Sequence, residues 1–148
     1  MNSFWYHPYK NLPDWFWTQF KEGGWDNFLG WQMALVLVYQ PQLHPRFNLR
    51  KLNGFDIAMV LQQHPQLHPL FDLQKLSGWE IGVVLLHQPQ LHPHLDLSQL
   101  GGGDIARVLR RQPQVHTLFD LRKLDGDDIA WVLRLQPQLQ NLFLKQYV

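Results

Sequence analysis

The sequence predicts an all-α solenoid of five 24-residue repeats, each one α-helix followed by short 3₁₀ or helical turns, behind an aromatic N-terminal cap. Three observations predict it. Pro41, Pro65, Pro89, Pro113 and Pro137 recur at a constant spacing of 24 without insertions. The blocks opening at Phe28, Leu52, Leu76, Leu100 and Leu124 share the wording L-x-G-x-D-I-A-x-V-L-x-x-Q-P-Q-L-H-P-x-F-D-L-x-K. Within each block the apolar residues fall at i, i+3, i+4, which is one stripe of a helix. A fixed short period belongs to architectures in which each unit buries its apolar face by stacking on its neighbours.

Residues 1–27 stand outside the repeat and carry Phe4, Trp5, Tyr6, Tyr9, Trp15, Phe16, Trp17, Phe20 and Trp25. Solenoid ends expose a core-like face that needs covering. The division is therefore a capping segment, 1–27, and a five-repeat solenoid, 28–148. A short helix from Pro13 to Glu22, stopped by Gly23-Gly24, would lay Phe16, Trp17 and Phe20 over the first repeat. The alternative is an anchor for another protein or a membrane interface. Only Lys10 and Lys21 are basic there, so electrostatic attraction to a membrane would be weak.

Inside a repeat, the second position reads Leu29, Asn53, Ser77, Gly101 or Asp125, and all but Leu29 suit a helix N-cap. Three residues later stand Gln32, Asp56, Glu80, Asp104 and Asp128, which completes a capping-box spacing. Helices are thus predicted to start near Gly30, Gly54, Gly78, Gly102 and Gly126. Each stops before its proline, because the preceding residue is pushed out of the α region. The inward stripe is Met33/Ile57/Ile81/Ile105/Ile129, then Val36/Val60/Val84/Val108/Val132, then Leu37/Leu61/Leu85/Leu109/Leu133. In Pro65-Gln66-Leu67-His68-Pro69 the paired prolines disfavour a continuous α-helix and favour 3₁₀ turns.

An α-helix alternating with a 3₁₀ segment at this period resembles the leucine-rich-repeat-variant class of α-solenoids. The wording I-A-x-V-L-x-x-Q-P-Q-L…D-L-x-K-L-x-G, over residues 28–147, is also similar to tandem Q-P-x-[LF] repeats of bacterial proteins of undetermined role. The resemblance implies a scaffold, since such repeats carry varied functions on one architecture.

Composition narrows the function classes. A formal charge of +1 argues against a surface built for nucleic acid. The absence of cysteine removes disulfides, thiolate metal sites and cysteine nucleophiles. The longest apolar run, Met33 to Tyr39, is far short of the ~18–20 residues that span a bilayer. The N-terminus lacks a secretory h-region, and the expected location is cytoplasmic. No G-x-S-x-G, phosphate-cradling glycine loop or H-E-x-x-H occurs, so neither an enzyme nor a cofactor is expected.

Repetition also sorts the candidate chemistry. His44, His68, His92 and His116 occupy one position, but stacked repeats set equivalent residues about 8–10 Å apart. Zinc needs nitrogens at about 2.0–2.1 Å, so a structural role before the proline is preferred to a metal site. Gln42, Gln66, Gln90, Gln114 and Gln138 are expected to bond main-chain groups left open at the helix ends. Asp72, Asp96 and Asp120, with Asn48 before them, read as turn caps.

What does not repeat lies at i, i+4, i+7, i+8 of each first helix, again one face. The candidate partner-binding residues are Trp31, Leu35 and Tyr39; Phe55 and Met59; Trp79, Val83 and Leu86; Arg107, Arg110 and Arg111; and Trp131 and Arg134. The functional expectation is a scaffold or adaptor that holds another protein on this face. Alternatives are a nucleic-acid or polyanion binder using the arginines, and a structural subunit of an oligomer. Salt bridges from the arginines to Asp104, Asp127 and Asp128 are the competing structural reading.

Overall fold

The computed structural model describes residues 12–145. Within them every regular element is helical, and helices pack sequentially in a repeating helix–turn pattern, an all-α solenoid. The fold divides into two compact units whose boundary in sequence falls between Asp72 and Leu73. The first contains α1 (Asp14–Gly23), α2 (Gly30–Tyr39) and α3 (Gly54–Gln63). The second contains α4 (Gly78–His87), α5 (Gly102–Arg111), α6 (Gly126–Leu135) and the short α7 (Gln140–Leu144).

The repeat helices start at the five predicted glycines and each runs ten residues. Full capping boxes form where chemistry allows. Asn53 Oδ1 accepts from the Asp56 amide at 2.9 Å, and the Asn53 amide donates to Asp56 Oδ2 at 3.1 Å. Asp125 and Asp128 repeat this at 2.8 and 3.1 Å. Leu29 and Gly101 have no side-chain acceptor, so only the return bond exists there, to Gln32 and Asp104. A missing N-cap acceptor costs about 1 kcal/mol, which the repeat packing absorbs.

After each repeat helix the chain turns through 3₁₀ segments, such as Pro65–Leu70 and Leu73–Lys75, and Pro113–Leu118 keeps this form with Thr117 in place of the second proline. The turn is closed through the main chain of the histidine position: the Phe47 amide donates to the His44 carbonyl at 3.2 Å, and Phe119 to His116 at 3.3 Å. The last repeat differs. A single 3₁₀ turn, Pro137–Leu139, runs directly into α7, where Asn141 stands in place of the second proline.

The predicted stripe forms the core. Val36, Leu37, Val60, Leu61, Val84, Leu85, Val108 and Leu109 are at most 1% exposed. Two joints connect successive repeats. The first is steric: a Cβ at Gly30 would lie 2.6 Å from the Lys51 carbonyl, and one at Gly102 would lie 2.4 Å from that of Lys123. Glycine is needed there because the 3₁₀ backbone that closes the repeat, at its junction with the next, presses on the helix start. The second is a hydrogen bond from the residue before the proline to the preceding helix's end. Gln112 Nε2 donates to the Leu86 carbonyl at 3.0 Å and Gln136 Nε2 to that of Arg110 at 2.7 Å, while His64 Nε2 lies 2.8 Å from the Val38 carbonyl.

The glutamine after the proline works one step back from the expected place. Gln114 Nε2 donates to Gln112 Oε1 and Gln138 Nε2 to Gln136 Oε1, both at 2.7 Å. It orients a neighbouring amide that in turn caps the previous helix. The main-chain groups left open at the helix ends are thus reached by the pre-proline residue.

The aromatic segment packs in the same unit as the first repeats. Phe16, on α1, is 1% exposed and stacks on Phe28 with centroids 5.1 Å apart. Phe20 stacks on Phe16 at 6.0 Å and Trp17 meets it edge-on at 4.9 Å. Trp25 then lies edge-on to Phe47 at 5.6 Å. Burying Phe16 contributes roughly 1.5–3 kcal/mol. Helix α1 ends where Gly24 takes φ +66°, a conformation that disfavours residues bearing a Cβ. Phe4, Trp5, Tyr6 and Tyr9 lie outside the described residues.

Candidate functional site

The non-repeating positions do share a face of each helix, and that face carries much of the exposed apolar surface. In the first unit Trp31 and Tyr39 on α2 are each 52% exposed, and Phe55 on α3 is 57% exposed. Leu35 and Met59, on the same helices, are half-buried. The strip extends beyond the sequence-predicted residues: Leu29 is exposed, and Trp15 of α1 lies 6.2 Å from Trp31, ring centroid to centroid. Trp15 lies outside the repeat, so no block alignment connects it with this face.

In the second unit Trp79 is exposed while Val83 and Leu86 are half-buried. Here the face becomes a groove of about 280 Å³ lined by Leu86, Arg107, Arg110, Arg111, Trp131 and Leu135. Leu135, at the last variable position of α6, is exposed and joins the site beside the sequence-predicted residues.

The four arginines do not act as one cluster. Arg107 is held by the protein itself. Its guanidinium lies over the Trp79 ring at 5.3 Å, donates to the Trp79 carbonyl at 3.0 Å, and pairs with Asp104 at 3.6 Å. Room for it comes from Gly82, where other repeats carry alanine: a Cβ there would meet Arg107 Nη2 at 2.7 Å. That exchange of alanine for glycine inside a helix costs about 1 kcal/mol of intrinsic propensity.

Arg110 is different. Its guanidinium lies over the Trp131 ring at 4.1 Å. Among the described residues it has neither an ion pair nor a hydrogen bond, and its Nε is buried without a partner. Arg111 and Arg134 are exposed and have no ion pair among the described residues. Of the acids near the helix starts, Asp104 reaches Arg107, whereas Asp128 serves the N-cap. The groove therefore carries uncompensated positive charge against an aromatic wall.

No three histidine or carboxylate groups among the described residues converge as metal ligands would. No described helix is long and apolar enough to cross a membrane. No protein-family model matches the chain, and no curated protein or solved structure is significantly similar to it.

Proposed function

We propose that the chain is a non-enzymatic interaction scaffold that holds a partner protein on the variable face of its repeat helices. The observation that carries this reading is the exposure of Trp31, Tyr39, Phe55 and Trp79 on helices whose opposite stripe is fully buried. Large aromatics on a regular helical face fit the anchor residues of protein interfaces, which bury in a partner's pockets and dominate binding. Single exposed hydrophobes need no explanation, but recurrence on successive helices marks a surface kept for contact. The likeness to leucine-rich-repeat-variant solenoids, read from period and element order, supports the same class.

The test is site-specific photocrosslinking in the source cell from Leu35, Val83 and, as a control outside the helices, Gln66 of the 3₁₀ segment Pro65–Leu70. Crosslinks to one partner from Leu35 and Val83 alone, lost in a Trp31→Ala/Trp79→Ala/Trp131→Ala variant, are the expected result. Equal crosslinking from Gln66, or retention in the variant, overturns the proposal. Crosslinks only between copies of the chain would assign the face to an oligomer.

A further inference from the structure

Resting on the scaffold reading, we propose that the second unit's groove takes an acidic peptide segment of the partner, with a carboxylate on Arg110 and Arg111 and an adjoining apolar side chain on Trp131. Charge complementarity carries the choice of occupant. Three of the four arginines on this face, Arg110, Arg111 and Arg134, have no carboxylate of their own among the described residues. Arg107 is already satisfied by Asp104 and the Trp79 carbonyl.

Geometry decides how a carboxylate would bind. Contact with the Trp131 ring, 4.1 Å from the guanidinium carbon to the ring centroid, restrains the Arg110 guanidinium. A restrained guanidinium presents paired in-plane N–H groups that match the two oxygens of a carboxylate. Arg110 Nε is removed from water without a partner, so the charge sits in a partly desolvated place. Attraction to an incoming anion is stronger there than on an open surface. Arg111, exposed at the rim, adds long-range attraction.

The remaining walls are Leu86 and Leu135, the latter 54% exposed. They flank the charge with apolar surface, which a bare polyanion would leave unused. A segment placing Asp or Glu beside Leu, Phe or Trp uses both. The groove is open and shallow in volume, fitting one or two side chains and no folded domain.

Selection of random peptides displayed on phage against the full-length chain tests this directly. The expected winners pair an acid with a large apolar residue and lose at least about tenfold in affinity against Arg110→Glu/Arg111→Glu. Arg122→Glu, a charge reversal outside the groove, leaves their affinity unchanged. Arg110→Lys, which keeps the charge and removes the fork, weakens them measurably. Winners without acids, or binding indifferent to the groove variants, overturn the inference. So does a single-stranded oligonucleotide that binds the groove and competes as well as the peptides, since that marks a general polyanion site. Acid-free winners lost in Trp31→Ala or Phe55→Ala would leave the scaffold reading standing while this one falls. Winners insensitive to both sets of variants would remove both.

Discussion

Helices α5 and α6 come from consecutive repeats with nearly the same wording, yet they live in different surroundings. In α5, Ile105, Ala106 and Leu109 are at most 1% exposed. In α6 the equivalent Ile129 and Leu133 are half-buried and Ala130 is exposed. Gly102 is pressed by the Lys123 carbonyl, whereas a Cβ on Gly126 would meet nothing within 4 Å among the described residues. The Arg110 carbonyl receives the Gln136 amide, a bond that ties α5 to the residue before Pro137. Identical residues thus have unequal energetic roles, because the role of each helix position is set by the segments of later sequence that pack on it.

Substitution of one helix against the other tests that inequality. Leu109→Ala is expected to destabilise the fold by about 2–5 kcal/mol and Leu133→Ala by roughly half as much, measured by urea denaturation. Equal losses would mean that the outer face of α6 is covered after all. Next in size is the glycine pair. Gly102→Ala drives a methyl into backbone and should destabilise by about 1–3 kcal/mol. Gly126→Ala should instead stabilise by about 0.4–1 kcal/mol, since no described residue crowds the site and alanine restricts the unfolded chain. A destabilised Gly126→Ala would break the comparison.

A smaller effect is expected at the glutamine joint. Gln136→Ala removes a bond to the Arg110 carbonyl and should cost about 1 kcal/mol. Gln138→Ala removes only the orienting contact to Gln136 and should cost less. A double-mutant cycle reads the coupling between them.

The smallest effect concerns the turn caps. Asp120 is held below the usual carboxylate range by its bond from the Arg122 side chain and then by the Arg122 amide. Asp96 is held low by Ser98 and Gln99. Carboxyl groups with lowered folded pKa values stabilise above the ordinary aspartate value of about 4, and that contribution fades as pH falls through the lowered value. Amide shifts of Arg122 and Ser98 should therefore move only in strongly acidic solution. The first unit supplies the control, because Asn48 caps the same turn through the Arg50 amide and cannot titrate.

Much of the fold was legible because its determinants are local. Asn53, Ser77 and Asp125 mark helix starts, the prolines mark their ends, and the i, i+3, i+4 stripe marks the buried side. The joints between repeats were less legible. Nothing in the wording Q-P-Q says that the second glutamine serves the first, since the acceptor is a carbonyl 26 residues upstream. The division of the arginines was hidden for the same reason. Arg107 and Arg110 look alike in sequence, and only Gly82 hinted that one of them has a seat prepared across the helix interface. The boundary after Asp72 has no local mark at all: Phe71-Asp72-Leu73 reads the same as Phe119-Asp120-Leu121.

The reach of the inter-repeat bonds bears on how the chain finds this structure. The bonds from His64, Arg107, Gln112, Lys123 and Gln136 to the preceding repeat span only 25 to 28 residues. Closing loops of that size costs little entropy, and proteins dominated by short-range closures fold fast. Within each unit, assembly can start at an adjacent pair of helices and grow one repeat at a time, with each pre-proline residue locking the helix before it.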